Sequence, residues 1–493
     1  MSLTSALNTA QAIFRNTGEQ TSVISTNIAN DGNANYVRRA AVVTNTIYGA
    51  STVTTERAQQ MALLRQLTSA TSASSAQDTL LNGLTTLSNA LGGNDYELSP
   101  STYLAELQTS LEAFAASPGE YTLAATVVTD AQDVANSLNN AAATVQKLRV
   151  DADAEINTQV KELNRLLAEF QIVNDAVVKA NAIGADPSDA LDTRDTLLKD
   201  ISEIIGVDAS TRASGDMVLY TTEGTTLFET VPRSVTFTRT LAYDATVTGN
   251  SIYVDGVAIQ AGEGGNTSAD GTLGALLQLR DEIAPTFQTQ LDEVARGLIE
   301  AFAETDPLGV AAAVPGLFTS PSGMVPSSGV VQPGLAGTIT VSTRVIASAG
   351  GDPMRLRDGG INDMGTALDT TDDYIWNTAN ASGYTTLLAR YSDNLDADRD
   401  FDATADLKTS MSVMTFASGS IGWLEELRSS ATTASDNKVA LYERSFQSYS
   451  SETGVNLDEE LSLLLDVEQS YKASAKLVST IDEMLQAVLA MAG

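Results

Sequence analysis

Four aspartates alternate along Asp396-Ala397-Asp398-Arg399-Asp400-Phe401-Asp402. Carboxylates at every second position are the oxygen donors of a calcium loop. Two positions depart from that pattern. Phe401 stands where such a loop turns on glycine, and Leu407 stands where the closing glutamate belongs. A solvated acidic loop is the expectation here, with calcium binding as the sharper alternative. The 62 acidic residues also offer carboxylate pairs of the kind that hydrolyse glycosides, but so acidic a chain supplies pairs by chance. Gly262-Glu263-Gly264-Gly265 lacks the lysine and the following helix of a phosphate-binding loop. The chain has no histidine and no cysteine, so Ser-His-Asp and Cys-His catalysis, disulfides and Cys/His zinc sites are excluded. No catalytic, metal or cofactor-binding residue is assigned. The expectation is a protein without cofactor that is not an enzyme.

Composition narrows the partners. The net charge is −34, from 28 basic and 62 acidic residues, which makes nucleic acid and anionic membranes poor partners. Apolar residues make up 43% and aromatics only 5% of the 493 residues. That is the look of long helices with soluble surfaces, over two to four domains. The first residues carry no basic start and no apolar core of a secretory signal. No stretch approaches the roughly twenty apolar residues of a membrane span.

The elements that organise the chain are at its ends. Leu457, Leu461, Leu464, Glu468, Tyr471, Ala475, Val478, Asp482, Leu485 and Leu489 step by four and three, a heptad seam. A second stripe, Leu463, Val467, Leu477, Ile481, Met484 and Val488, runs beside it, so the apolar arc is wide. Leu3, Leu7, Ala10, Phe14, Thr17, Thr21, Ile24 and Ile28 step the same way at the other end. Packing on the domain's own core is the plain reading. Pairing with each other and with neighbouring subunits is the sharper one, since these seams sit where most domains fray and carry small and polar members. Burial of a Leu, Ile or Val contributes about 1.5–3 kcal/mol, and ordering each backbone residue costs about 1–2 kcal/mol. A terminal helix one-third apolar is near balance alone, so both ends are expected to be largely disordered in the monomer and to fold when a neighbour covers their seams.

The same ends carry a resemblance. Thr26-Asn27-Ile28-Ala29-Asn30 and Asn35-Tyr36-Val37-Arg38-Arg39 resemble the asparagine-rich signature of bacterial flagellar axial proteins. Gly454-Val455-Asn456-Leu457-Asp458-Glu459-Glu460, Gln469-Ser470-Tyr471-Lys472-Ala473-Ser474-Ala475-Lys476 and Asp482-Glu483-Met484-Leu485 resemble the close of the hook-associated members more than that of the hook protein. The family usually places Thr-Pro-Gly before the tyrosine. Here Ala34-Asn35 precede Tyr36 and the glycine is Gly32, so the turn must differ. The resemblance implies a structural role in the hook-side ring of the hook–filament junction, on which the filament assembles. It implies export through the type III channel without a cleaved signal, and a place outside the cell. Implied partners are further copies of this chain in a ring, the hook protein, the second hook-associated junction protein and a cytosolic export chaperone. The expected assembly interface is Leu3, Leu7, Phe14, Ile24, Ile28, Asn27, Asn30, Tyr36, Leu457, Leu461, Leu464, Tyr471, Val478, Leu485 and Leu489. Another axial protein (hook or distal rod), a secreted β-rich adhesin or hydrolase on helical arms, and a signalling coiled coil are the competing readings.

The expected fold is α+β, mainly α: long terminal coiled-coil helices, a helical-bundle domain and inserted β-rich outer regions. Residues 1–50 and 453–493 form the terminal assembly domain; 51–206, 270–305 and 406–452 the helical core; 207–269 an inserted β domain; 306–405 a Pro/Gly/Asp-rich outer region with some β. Helices are expected at 55–91, 101–116, through the seam from Val134 to Val177, at 188–205, at 274–303 with a kink at Pro285, and from about Asp406 to Glu452 with a break near Gly419. Consecutive steps of four from Leu148 to Val160 form a stutter in the longest of these. Gly249-Asn250 marks one hairpin turn and Asp255-Gly256 the next.

Overall fold

The computed structural model describes residues 3–45, 51–362 and 373–492; the side chains of residues 3–6, 45, 51–52 and 492 lie outside the description. The side chain of Leu3, expected at the interface, and part of the Pro/Gly/Asp-rich outer region expected at 306–405 therefore fall outside the described residues.

The first helix, α1 (Leu3–Ala29), leads through Gly32 into an antiparallel hairpin of β1 (Arg39–Asn45) and β2 (Ser51–Arg57). The helix expected from Thr55 begins only at Met61. Val53, Thr54 and Thr55 are β-branched, fit a pleated surface, and pair with Val43, Val42 and Ala41. Helix α2 (Met61–Ala90) stops before Gly92, whose φ of +100° and close approach to the Glu97 and Leu98 backbone leave no room for a Cβ. Helix α3 (Pro100–Ala116) starts with Pro100 in its first turn and Ser99 accepting from Thr102 N–H at 3.3 Å. Helix α4 (Tyr121–Ile183) runs for 63 residues and ends on a left-handed Gly184. In α5 (Ser188–Ile204) the expected cap, Ser188, is already helical. Asp186 takes that part, its carboxylate accepting from the Ser188 N–H at 2.9 Å and hydroxyl at 2.6 Å.

Two small sheets follow. Strands β3 (Val207–Thr211), β4 (Met217–Thr221) and β5 (Thr226–Phe228) form one; β6 (Val235–Thr236), β7 (Tyr253–Val254) and β8 (Val257–Ala258) form the other. Asp255 and Gly256, both at positive φ, turn β7 into β8. The hairpin expected at Gly249-Asn250 is not formed. Gly249 is there because the Arg280 guanidinium packs on it; a Cβ would lie 2.4 Å from that Cζ.

Helix α6 (Thr272–Gln278) passes through a π turn at Leu279–Ile283 into α7 (Ala284–Ala301). The irregularity expected at Pro285 takes this form: Ala284 N–H reaches back to Leu279 C=O, just ahead of the residue with no N–H. Strand β9 (Phe318–Thr319) pairs with β10 (Thr340–Val341), and short α8 (Arg355–Asp358) follows. Helix α9 (Thr386–Asp396) lies in the Pro/Gly/Asp-rich outer region, where no helix is expected; Leu387, Leu388, Tyr391 and Leu395 give it a buried stripe. Strand β11 (Arg399–Asp400) pairs with β12 (Ser410–Met411), so α10 (Val413–Thr453) starts later than expected, capped by Ser412. It passes Gly419 without a break. Gly454 and its neighbours separate it from α11 (Leu457–Ala492).

Helix α4 belongs to two hydrophobic cores. Val145 and Leu148 close the first, built with α2, α3, α7, α9 and α10; Ala152 and Ile156 open the second, built with α5, α6 and the sheets. The stutter falls at this handover. A buried polar network fills it: Asp153 accepts from Arg280 at 3.0 Å and from Tyr243 at 2.8 Å, while Arg149 donates to the Asp244 and Val247 carbonyls. Asp402 of the aspartate run caps a 3-10 turn, accepting from Thr404 N–H at 2.9 Å and Val331 N–H at 3.3 Å. Among the described residues no group of acidic side chains gathers in a way that would hold a metal ion, and no helix is long and apolar enough to cross a membrane.

Candidate assembly interface

Helices α1 and α11 lie side by side, and each turns a heptad face to the other. On α1 the buried positions spaced by seven are Ala10, Thr17 and Ile24, and Asn16 and Asn27 are buried beside them; on α11 they are Glu460, Val467, Ser474 and Ile481, with Leu464 and Val478 half-buried between them. Phe14 meets Tyr471 edge to face, with centroids 5.0 Å apart. The threonines of the α1 seam satisfy themselves: Thr17 donates to Phe14 C=O at 3.0 Å and Thr21 to Thr17 C=O at 2.7 Å.

The face that α11 turns to α1 is not either of the two stripes as read from the sequence. It lies between them, taking Leu464, Tyr471 and Val478 from the first and Val467 and Ile481 from the second. Apolar side chains remain exposed on both flanks, Leu461 and Leu489 on one and Leu463, Leu477 and Met484 on the other, and where the covered band runs on toward its ends, at Leu457, Leu485 and Val488. Leu489 is 72% exposed. Contiguous apolar flanks of this kind mark an interaction surface.

A clasp fastens this helix pair to the body. At the end of α1, Asn27 is fully buried and its amide behaves like a strand neighbour: Nδ2 donates to Arg39 C=O at 2.8 Å and Oδ1 accepts from Arg39 N–H at 3.1 Å. Oδ1 also accepts from the Tyr36 hydroxyl at 2.7 Å. Burial pushes the Tyr36 phenol up from its ordinary value, so it stays a neutral donor. Asn30 donates to Thr26 C=O at 2.9 Å and ends the helix. Arg38 then crosses to the other terminus: its N–H donates to Thr453 C=O at 2.8 Å and its Nε to Glu460 at 2.7 Å. Arg39 turns the opposite way, onto Asp189 at 2.6 Å and Asp192 at 2.9 Å of α5, with its guanidinium 4.8 Å from the Tyr36 ring centre. Arg57 of β2 takes Asp192 and Asp195 at 2.7 and 2.8 Å. One short segment thus ties α1, α10, α11 and α5 together.

Comparison with known proteins fits this arrangement. Residues 84–316 match the model of the flagellar hook-associated protein FlgK helical domain, and residues 447–491 match that of the flagellar basal body rod FlgEFG protein C-terminal. Over these residues the chain is similar to the flagellar hook-associated proteins. Flagellar hook-associated protein 1 of Bacillus subtilis (strain 168) is 23% identical over 440 residues, 84% of this chain and 80% of that protein. Its counterpart in Salmonella typhimurium is 26% identical over 323 residues, 60% of this chain and 54% of that one, so the match spans about half of the Salmonella protein. The flagellar hook junction protein FlgK of Burkholderia pseudomallei has a similar fold, with a TM-score of 0.55 over 78% of this chain and all of that chain at 14% identity.

The α1 residues of the expected interface divide by depth. Ile24 is buried, Leu7, Phe14 and Ile28 are half-buried, and Leu3 lies outside the described side chains. Asn27, Asn30 and Tyr36 work within the clasp. The sequence reading missed Arg38, Arg39, Arg57, Asp192 and Glu460. Glu460 sits in the first turn of α11, where the helix dipole alone would favour an acid; it is in addition buried against Arg38. The signal was present in the Arg38-Arg39 pair directly after the tyrosine, two cations with nowhere to go but two different acids.

Proposed function

We propose that this chain forms the hook-side ring of the hook–filament junction and templates filament assembly. It is a structural component of the flagellum, outside the cell, and it assembles with other flagellar components. The observation that carries the reading is the terminal helix pair, which α1 covers along one band only and which keeps leucine flanks exposed on a 36-residue α11. Leu457, Leu461, Leu464, Tyr471, Val478, Leu485 and Leu489, with Leu3, Leu7, Phe14, Ile24 and Ile28, are the residues assigned to packing in the assembled ring. Asn27, Asn30 and Tyr36 hold them at a fixed angle to the body. The partners are further copies of this chain, the hook protein below, the second hook-associated junction protein above, and an export chaperone that covers α11 in the cytosol. Residues 1–50 and 453–493 act as the assembly domain, and the β insert at 207–269 and the region 306–405 face outward. The role is mechanical, with no catalysis. Electron microscopy of cells lacking the gene tests it. Bare hooks, with filament protein shed into the medium, are expected; intact filaments would refute the junction role.

A further inference from the structure

Arg194 on the inner side of α5 is 3% exposed and makes no ion pair among the described residues. Its neighbours account for this. Arg39 and Arg57 engage Asp192, and Arg57 also engages Asp195, so the two buried carboxylates of α5 are occupied. Asp216, the other acid near Arg194, is held by Asn174 at 2.6 Å and by Arg212 at 3.1 Å. Arg194 keeps only neutral partners: Nη1 donates to Asn174 Oδ1 at 3.1 Å and to Gly215 C=O at 2.7 Å. Its Nε is shielded from solvent and has no acceptor. A buried guanidinium ordinarily finds a carboxylate, and this chain has 62 acidic residues from which to supply one.

The same side chain lines an open pocket of about 430 Å³ between β2, the end of α4, α5 and the turn after β3. Met61, Val177, Pro187 and Leu191 give it apolar walls, and Thr55 and Gln59 stand at its rim. The pocket is built rather than incidental. Gly215, at φ +85°, presents its carbonyl to Arg194 in a turn so close to α4 that a Cβ would lie 2.2 Å from Asn181 Nδ2. Glu56 also lines the pocket and is exposed.

We propose that this pocket binds a single carboxylate on a short aliphatic stem, such as a glutamate side chain, with Arg194 as its counter-charge and the apolar walls around its methylenes. Arg57 also lines the pocket, but its charge is matched by Asp192 and Asp195, so the one guanidinium left without an ion pair matches one negative charge. A phosphate dianion would meet Glu56 at the rim and the α5 carboxylates behind it with twice the repulsion. Full-length protein is titrated calorimetrically with N-acetylglutamate, with the capped tripeptide acetyl-Ala-Glu-Ala-amide and with inorganic phosphate. Saturable binding of the first two, weakened by salt, is expected. Tighter binding of the tripeptide assigns the site to a protein side chain; tighter binding of N-acetylglutamate assigns it to a free acid. Arg194→Gln should weaken binding about tenfold or more, as expected for loss of a charged hydrogen bond. Should that variant not fold, Gln59→Trp, which leaves the arginine and fills the mouth, should abolish binding. Glu56→Gln removes the competing charge and should tighten it. Phosphate binding in preference to both carboxylates, no saturable binding of any probe, or affinity unchanged in Gln59→Trp would overturn the proposal.

Discussion

Phe14 and Tyr471 stand edge to face at 5.0 Å and 67°, the one aromatic pair that joins the first helix to the last among the described residues. The contact around them is thin. Tyr471 is 53% exposed, and the buried members beside it include the small Ala10 and Ser474. Segments with few buried apolar contacts open at low free energy. Amides of residues 7–28 and 457–489 should therefore exchange at nearly unprotected rates in a dilute monomer and become strongly protected in the assembled polymer. Hydrogen exchange followed by mass spectrometry reads this directly. Strong protection in the monomer would show that the helix pair is stable without neighbours.

The leucine flanks of α11 predict a separation of fold from assembly. Leu461 and Leu489 are exposed, so Leu461→Asp and Leu489→Asp should leave the melting of the body within about 0.5 kcal/mol of wild type. They should nonetheless abolish filament formation, because a buried unpaired carboxylate in the assembled seam is costly. Calorimetry of the purified variants and microscopy of cells expressing them check the two halves. Filaments of normal length in both variants would remove these residues from the interface.

Long helices were the most legible part of the fold. The 3.6-residue period in α4 and the heptads in α1 and α11 are repeated often enough to survive local noise. The stutter from Leu148 to Val160 even marked the junction of the two cores. What could not be read was choice among equivalent options. The sequence of α11 offers two apolar stripes; which band α1 covers is decided by the shape of α1, whose small Ala10 and Thr17 admit close approach. Gly249-Asn250 looks like a turn, yet the glycine serves a packed guanidinium from far along the chain. The same holds for the clasp. Asn27 and Tyr36 were visible as a signature, but their ties to Arg39, and those of Arg38 to Glu460, are long-range pairings that no local spacing encodes. The unpaired Arg194 depends in the same way on where Asp192 and Asp195 are already spent.

The clasp can be dissected by deletion of single groups. Asn27→Ala removes the amide that meets both the N–H and C=O of Arg39 and the hydroxyl of Tyr36. Leaving buried polar groups unmatched costs about 1–3 kcal/mol. Tyr36→Phe removes one of those bonds and should cost about 1 kcal/mol. The body core is remote, so global melting should move less than the release of the termini. Limited proteolysis at residues 29–38 is expected to accelerate in the order wild type, Tyr36→Phe, Asn27→Ala. Equal rates in all three would mean that the segment is held by Arg38 and Arg39 alone.

Glu304 predicts a pH dependence of opposite sign to the usual acid denaturation. It follows α7, fully buried, and its carboxylate accepts from the N–H groups of Ile361 and Asn362 at 2.8 and 2.7 Å. Burial pushes its pKa up to about 7 against those two hydrogen bonds, with the nearby Asp373 charge adding to the rise. The folded chain therefore holds a proton that the unfolded chain releases near the ordinary value of 4.5. Proton uptake accompanies folding between these limits, so this group's contribution is full below about pH 4.5 and is lost as pH rises through about 7. The shift corresponds to stability on the order of 3 kcal/mol. Asp292, raised to about 6 by burial, acts in the same direction. Glu304→Gln keeps the shape without the titration. Urea unfolding of wild type and variant from pH 4.5 to pH 8 should show the stability of Glu304→Gln relative to wild type rising with pH, most steeply between about pH 5 and pH 6.5, midway between the unfolded and folded values. A difference that stays flat across the range would mean that Glu304 is ionised in the folded chain throughout, stabilised by the Ile361 and Asn362 amides despite its burial.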